Sequence, residues 1–265
     1  MNYKLIALDM DGTLLTSEKN ISEHTAQVID DTYKAGRIVT ISTGRPIQGL
    51  SDYESVITPD IPVITYNGAM IIKLHSKEVL YHKQMDTASA REVLAFGRKF
   101  DTTMVVWSDN KLYVNRINAA VDSYKLISGV EPILLEDEEI VLNAGITKML
   151  WLDDAEKHIE YQKILDKELK NRKVVYCTSQ PTFLEFMGDG ISKAAAMENL
   201  SKIFGISRDE MIAVGDGFND LPMIEYAGLG VAMENAPEDV KKAASYVTAS
   251  NDDDGVALVI EKFML

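Results

Sequence analysis

Short runs of consecutive apolar residues recur along the first 70 positions, separated by segments with helical spacing and by polar turns. Residues 5–8 (LIAL) and 38–41 (IVTI) are two such runs, which are typical of strands buried on both faces of a parallel sheet. Between them, Ser22 can cap a helix that extends to Ala35, and Gly36 can end it. The pattern therefore predicts a βαβ unit at the start of the chain.

A third apolar run follows, and the rhythm then changes. Residues 63–66 (VITY) predict a third strand, and Asn67-Gly68 is a hairpin turn signal that leads to short strands at 70–72 and 79–81. From about residue 82 the elements no longer alternate in βα order. The elements predicted for this middle segment are a helix at 88–99, strands at 104–107 and 112–114, a helix at 121–127, a strand at 147–152, a helix at 154–170, and strands at 174–177 and 183–186.

The βα rhythm resumes with a helix from Lys193 to Phe204 and a buried strand at 211–214, followed by a helix that starts at Leu221. The first and last segments are therefore expected to share one sheet. Runs of strands and helices in a different order indicate a separate module between them.

These patterns predict the α/β fold class. We expect a Rossmann-like doubly wound parallel sheet core, formed by residues 1–82 and 188–265, with an inserted α+β domain at 83–187.

The net charge restricts the partners. The chain has 265 residues and a formal net charge of −14, so its mean field repels polyanions and anionic lipids. Nucleic acid and membrane surfaces are therefore not expected as partners. A small phosphorylated substrate is also an anion, so this chain would need a local positive spot built from a cation, a lysine and backbone N–H groups.

Cysteine usage and hydropathy favour a cytoplasmic location. The single cysteine, Cys177, cannot form an internal disulfide, and its apolar neighbours at 174–176 predict a buried side chain. The four apolar residues before Asp9 are too few for the hydrophobic region of a signal peptide. No apolar stretch approaches the roughly 20 residues that cross a bilayer.

The first candidate site lies at residues 9–13 (DMDGT), directly after the first predicted strand. Asp9 and Asp11 can divide the labour of catalysis, one as nucleophile and the other as proton donor to the leaving group. Taken alone, the pair fits an ordinary polar loop equally well. A calcium loop of the EF-hand type is excluded, because Leu14 and Asn20 stand where such a loop needs Gly and Glu.

Two further candidates also follow predicted strands, and ligands of open α/β sheets bind at the carboxyl ends of strands. Residues 42–45 (STGR) offer a hydroxyl and a backbone N–H to phosphate oxygens, although the same residues suit a helix start. Residues 215–220 (GDGFND) offer carboxylates to a hard divalent cation, and Asn219 can donate to a phosphate oxygen.

Lys193 is the fourth candidate. A lysine in the first turn of a helix opposes the helix dipole, so an anion is expected to compensate it. A bound phosphate is one such anion. An exposed lysine on a solvated face is the alternative.

Taken together and in this order, DxDGT, TGR, Lys and GDxxND resemble the motifs of the haloacid dehalogenase superfamily. The inserted domain, residues 65–69 (TYNGA) and residues 230–236 (GVAMENA) resemble the Cof-type class IIB branch, and the similarity is closest to its sugar-phosphate phosphatases. One departure is Ala194, where family members commonly have Gly after the lysine. The resemblance spans essentially the whole chain.

The resemblance implies Mg²⁺-dependent hydrolysis of small phosphorylated metabolites, with Asp9 as the nucleophile and Asp11 as the general acid and later the base. Mg²⁺ would be bound by the Asp9 carboxylate, the Asp11 carbonyl and Asp216, with Asp220 supporting these ligands. The groups implied to hold the phosphoryl group are Met10 through its backbone, Thr43, the Gly44 N–H, Lys193 and Asn219.

The inserted α+β domain would act as a class IIB cap domain that excludes water and sets specificity. Residues 81–83 and 187–190 are the candidate hinges. The side chains considered as substrate contacts, each with packing as the more ordinary role, are Trp107, Tyr113, Asn115 and Arg116.

Three other functions compete with this hypothesis. A sugar phosphomutase would use the same Asp9 intermediate and return the phosphoryl group to the sugar. A signalling receiver also carries a phosphorylated Asp near Mg²⁺, Thr and Lys, but Asp11 favours turnover. A binding protein without catalysis is disfavoured by the intact set Asp9, Asp11, Lys193 and Asp216.

Overall fold

The computed structural model describes residues 3–265, apart from the side chain of Ser179. The strands in chain order are β1 (Leu5–Asp9), β2 (Ile38–Ser42), β3 (Pro62–Thr65), β4 (Met70–Lys73), β5 (Val79–His82), β6 (Thr103–Ser108), β7 (Lys111–Val114), β8 (Ile133–Leu134), β9 (Ile146–Leu152), β10 (Val174–Gln180), β11 (Phe183–Gly188), β12 (Met211–Gly215), β13 (Leu229–Ala232) and β14 (Tyr246–Val247). The α-helices are α1 (Glu23–Lys34), α2 (Thr87–Lys99), α3 (Ala119–Ser128), α4 (Glu138–Ala144), α5 (Ala155–Glu168), α6 (Lys193–Phe204), α7 (Leu221–Tyr226), α8 (Glu238–Ala243) and α9 (Gly255–Phe263).

Contacts divide the chain into two compact units. The first comprises Met1–Tyr81 and Ser192–Leu265, and the second comprises His82–Ile191. That the second unit acts as a cap domain stays a prediction. The expectation about a signal peptide involves residues 1 and 2, which lie outside the described residues. None of the helices within residues 3–265 combines the length and the hydropathy that a membrane-spanning helix needs.

The first unit contains an eight-stranded sheet in the order β14-β13-β12-β1-β2-β3-β4-β5. The pairs from β14 to β3 are parallel, and β4 adds antiparallel to β3. This confirms the predicted α/β class and the parallel sheet. The central strand β1 is fully buried, as its continuous apolar run predicts for a strand covered on both faces.

The signals at the ends of α1 act as the sequence predicts. The Ser22 hydroxyl accepts a hydrogen bond from the Thr25 N–H at 3.0 Å, which satisfies one of the unpaired donors of the first turn. Gly36 follows the helix with φ +77°, a conformation that costs glycine little. Val28 and Ile29 face the interior. The helix thereby connects β1 to the parallel strand β2.

The second unit contains a six-stranded sheet in the order β10-β11-β9-β6-β7-β8, which is antiparallel except for the β7–β8 pair. One face of this sheet forms a hydrophobic core of its own, in which Trp151, Phe186 and Leu165 are buried. Separate cores explain why this segment has its own α+β order between the two halves of the first unit.

The second unit differs from the sequence prediction in two ways. The sequence reading missed β8 and α4, because a two-residue strand and a seven-residue helix carry too little periodicity to register. Cys177 is exposed, not buried. It lies on β10, an edge strand of the sheet, where an apolar run need not be covered on both faces.

Candidate active site

Three neighbouring strands of the first unit deliver polar residues to the same edge of the sheet. β1 lies between β12 and β2, and in the register of these strands Asp9 pairs with Ser42 while Leu8 pairs with Val214. Asp216 follows β12 directly. Because parallel strands share their carboxyl ends, the loops at 9–13, 42–45 and 215–220 converge at one place.

Lys193 joins these loops from the first position of α6. Its Nζ contacts the carboxylate of Asp9, lies 2.6 Å from Asp220 Oδ1 and donates to the Ser42 carbonyl oxygen at 2.9 Å. Only 1% of its side chain is exposed. The alternative of an exposed lysine was therefore wrong. The anions that compensate Lys193 in the structure are two carboxylates of the protein.

The start of α6 is fixed by close packing against the β3–β4 turn. The Ser192 hydroxyl accepts a hydrogen bond from the Ala195 N–H at 3.1 Å, so the helix is capped although Ala194 replaces the usual glycine. Gly68 has φ +108°, and a Cβ on it would lie 2.2 Å from the Ser192 carbonyl oxygen. Only glycine permits this approach, and the approach determines where Lys193 enters the site.

Asn67 in the same turn supports the second loop, a role that the sequence did not indicate. Its backbone N–H donates to the Thr43 carbonyl oxygen at 3.0 Å. Its side-chain oxygen packs so near Gly44 that a Cβ there would lie 2.9 Å away. The Asn-Gly turn signal indicated a hairpin, but the sequence offered no signal that this hairpin would support two loops of the site.

The electrostatics of Asp9 reflect a crowded, buried site. Burial raises the pKa of Asp9 to about 7, the charge of Lys193 works against this rise, and the charges of Asp220 and Asp216 add to it. Burial also raises the pKa of Asp216, although its Oδ1 accepts a hydrogen bond of 2.8 Å from the Thr13 hydroxyl. Three carboxylates therefore share one lysine, which leaves an excess of negative charge.

This excess fits a divalent cation. Oxygen atoms of Asp9, Asp216 and Asp220 lie within 4.8 Å of one another, and carboxylate oxygens are the ligands that Mg²⁺ prefers. Both oxygens of Asp220 already accept hydrogen bonds: one from Lys193, the other from the N–H groups of Asp216 and Gly217 at 3.1 and 2.9 Å. Asp9 and Asp216 are therefore better placed to ligate directly, with Asp220 in support.

Asp11 is held differently from Asp9. Arg45 donates hydrogen bonds to both carboxylate oxygens of Asp11, with Nε 2.9 Å from Oδ2 and Nη2 2.6 Å from Oδ1. Lys19 Nζ lies 3.3 Å from Oδ1. Burial works to raise the pKa of Asp11, but the hydrogen bonds and charge of Arg45, aided by Lys19, hold it below its ordinary value. Arg45 is part of the TGR motif, but no sequence signal indicated its contact with Asp11.

The proposed phosphate-binding residues differ in how far the structure positions them. Thr43 is buried, and its Oγ1 accepts a hydrogen bond from the Arg45 N–H at 3.1 Å, which leaves the hydroxyl hydrogen available to a phosphate oxygen. Met10 is buried, and its carbonyl oxygen accepts from the Leu15 N–H. Asn219 is exposed beside Gly217.

The four side chains considered in the second unit have structural partners within that unit. Trp107 Nε1 donates to the Tyr124 hydroxyl at 2.9 Å. Asn115 accepts from the Met104 N–H and donates to the Thr102 carbonyl oxygen. Tyr113 packs against the core of the second unit. Arg116 forms a salt bridge with Asp101. These contacts account for the four residues without a substrate.

Known proteins resemble this chain in sequence and in fold. A family model described as haloacid dehalogenase-like hydrolase matches residues 6–260. The curated 5-amino-6-(5-phospho-D-ribitylamino)uracil phosphatase YcsE of Bacillus subtilis is 30% identical over 100% of this chain and 97% of its own length.

Two solved structures are similar to this chain over nearly its whole length. A haloacid dehalogenase-like hydrolase from Bacteroides thetaiotaomicron superposes with a TM-score of 0.89 at 32% identity, over 98% of this chain and 99% of that chain. The HAD subclass IIB sugar phosphatase BT4131 superposes with a TM-score of 0.79 at 27% identity, over 98% of each chain.

Proposed function

The chain belongs to the haloacid dehalogenase-like hydrolase family, and from this premise we propose that it is a phosphatase that hydrolyses small phosphorylated metabolites through a phosphorylated Asp9. The observation that carries the proposal is the placement of Asp9. It is a buried carboxylate at the end of β1, in contact with the buried Lys193 and close to Asp216 and Asp220.

The first chemical step follows from this placement. A carboxylate oxygen of Asp9 attacks phosphorus, the Asp9–phosphorus bond forms, and the bond to the leaving oxygen breaks. Against the effect of burial, Arg45 and Lys19 lower the pKa of Asp11 in the free site, and the negative charge of the bound phosphate opposes this lowering and favours the protonated form. Protonated Asp11 gives its proton to the leaving oxygen. Lys193 stabilises the negative charge on the phosphoryl oxygens, and we assign Thr43, the Gly44 N–H, the Met10 backbone and Asn219 to hold that group.

The second step regenerates the enzyme. A water molecule attacks the phosphorus of phosphorylated Asp9, its proton passes to Asp11, and inorganic phosphate leaves as the bond to Asp9 breaks. Lys193 again faces the negative oxygens. Hydrolysis of phosphate monoesters is among the slowest uncatalysed reactions, so a site that performs it needs many charges held in advance.

We propose Mg²⁺ as the cofactor, bound by Asp9, the Asp11 carbonyl and Asp216, with Asp220 in support. The cation supplies positive charge that lowers the repulsion between Asp9 and the incoming phosphate. Support comes from the oxygen donors of the site and from its excess negative charge, which a single lysine does not neutralise.

The substrate class is a phosphate monoester on a polyhydroxylated carbon chain. Support comes from two similar proteins, of which one is described as a sugar phosphatase and the other as the phosphatase of a phosphoribityl compound. The two share a phosphate carried on a sugar or sugar-alcohol chain.

The test is phosphate release from a panel of sugar phosphates, a phosphoribityl compound, nucleotides and 4-nitrophenyl phosphate, with Mg²⁺ or with EDTA. Asp9→Asn should lower kcat by about 10⁴-fold or more, because an amide does not attack phosphorus. The matched control is Asp239→Asn, which removes an exposed carboxylate on α8 that pairs with Lys242.

Two results would refute the proposal. Wild-type turnover by Asp9→Asn would exclude Asp9 as the nucleophile. Formation of an isomeric sugar phosphate without release of inorganic phosphate would identify the protein as a phosphomutase.

A further inference from the structure

Arg45 makes the most specific contact to the proposed general acid. Its Nε and Nη2 each donate to a different oxygen of Asp11, at 2.9 and 2.6 Å. A planar guanidinium that grips both oxygens of a carboxylate fixes the rotation of that carboxylate as well as its position. A single contact from a flexible lysine does not fix that rotation. Lys19 approaches only Oδ1, at 3.3 Å, from a side chain that is 60% exposed.

Arg45 is itself held in place by hydrogen bonds to other residues of the first unit. Its backbone N–H donates to Thr43 Oγ1, and its carbonyl oxygen accepts from the Tyr66 N–H, both at 3.1 Å. Its Nη1 donates to the Gly49 carbonyl oxygen at 3.2 Å. A Cβ on Gly49 would lie 3.2 Å from the Arg45 Cβ, so glycine at this position lets the arginine stem lie close against the backbone.

Asp11 has less support of its own. It follows Asp9 in a loop, its side chain is 42% exposed, and the hydrogen bonds to its carboxylate come from Arg45 and Lys19. Proton transfer requires the acid to lie within hydrogen-bond reach of the reacting oxygen and at a suitable angle. The direction of this half-exposed carboxylate therefore depends on a partner that is itself rigid.

We propose that Arg45 is the positioning residue for Asp11, and that it directs the Asp11 carboxylate for the proton transfer to the leaving oxygen without touching the substrate. The proposal rests on the function proposed above. Arg45 acts through Asp11, so its contribution belongs to the step in which the leaving oxygen takes a proton. It is distinct from the groups that bind the phosphoryl group.

The test uses two leaving groups. The 4-nitrophenolate ion leaves without a proton, whereas the alkoxide of a sugar phosphate needs one. Arg45→Gln and Arg45→Lys should therefore lower kcat for the best alkyl monoester of the panel about 10- to 100-fold more than for 4-nitrophenyl phosphate, with KM nearly unchanged. Asp11→Asn should show the same dependence on the leaving group.

A double-mutant cycle tests whether Arg45 acts through Asp11. In the Asp11→Asn background, Arg45→Gln should change kcat by less than about 3-fold, because the group that it positions is already gone. The matched control is Arg172→Gln. Arg172 forms a bidentate salt bridge of the same kind with Glu92 in the second unit, with Nε 2.6 Å from Oε2 and Nη2 2.5 Å from Oε1. Its loss should leave kcat for both substrates unchanged.

Several outcomes would overturn the inference. They are an equal loss of kcat for both substrates, a rise in KM as the main effect, or effects of Arg45→Gln and Asp11→Asn that multiply. If Arg45→Gln fails to fold, Arg45→Lys keeps the charge and the stem and gives the same readout. Phosphate release by Asp9→Asn would instead contradict the proposed function. Failure of the Arg45 inference and failure of the proposed function are therefore distinguishable.

Discussion

At the scale of single residues, the site concentrates more negative charge than one lysine balances. Asp9, Asp216 and Asp220 lie around the buried Lys193, and burial removes most of the screening that water would supply. Such a cluster is unfavourable for folding and suited to binding a cation. Function and stability are therefore expected to oppose each other at Asp9.

Asp9→Asn should accordingly raise stability in EDTA while it abolishes turnover. The folded protein favours the protonated form of Asp9, whose pKa is raised from 3.8 to about 7. The stabilisation from that proton is complete below about pH 3.8 and is lost as the pH rises through about 7. Because asparagine is neutral throughout, the advantage of the variant should grow across this window to on the order of 2–4 kcal/mol.

The measurement is urea unfolding of both proteins at several pH values in EDTA. Saturating Mg²⁺ should shrink the difference, because the ionised Asp9 then has a cationic partner. An Asp9→Asn protein that is less stable than wild type at pH 8 in EDTA would contradict the electrostatic argument.

At the scale of elements, α2 is positioned on the sheet of the second unit by a glycine. A Cβ on Gly97 would lie 2.2 Å from Met104 Sδ and 3.1 Å from Trp151 Nε1. Both of these side chains are buried. A larger residue at position 97 would therefore force Met104 or α2 to shift, so glycine stands here even though it weakens a helix.

Gly97→Ala should lower the free energy of unfolding by about 1–3 kcal/mol, because overpacking outweighs the gain in helix propensity. Thermal and urea unfolding measure this. Combined with Met104→Ala, which removes the nearest atoms, the change should cost less than the sum of the single variants. A stabilised Gly97→Ala protein would show that the helix shifts away from the sheet without cost.

At the scale of the whole molecule, the protein is strongly acidic. Its proposed metal and phosphate site lies in one of the two units, each of which has its own core. The net charge is −14, yet Lys193, Arg45 and Lys19 all lie at the loop end of the first unit's sheet. A cation bound among the carboxylates should therefore act on the stability of the first unit.

Mg²⁺ at about 100 times its Kd should stabilise the protein by about 2.7 kcal/mol. Hydrogen exchange should slow in β1 and β12 and stay unchanged in β9 and β11. Because any salt screens a charge of −14, NaCl of equal ionic strength is the control. Asp216→Asn should abolish the magnesium-specific part, and equal protection of both units would contradict a site confined to the first.

Local signals account for what the sequence predicted correctly. The apolar runs of β1, β2 and β12, the Ser22 cap and Gly36 each act within a few residues of their own position, so a pattern reveals them. The same holds for Asn67-Gly68 as a turn. Short elements such as β8 and α4 failed because two to seven residues do not establish a period.

The sequence by itself determined the α/β order and the polar residues that follow the strands, because strand, cap and turn preferences are local. Only the tertiary structure decided that Lys193 is buried against Asp9, 184 positions away, and that Arg45 grips Asp11, 34 positions away. These pairings depend on which strands become neighbours and on glycines that allow close approach. Long-range packing sets both, and no local pattern encodes it.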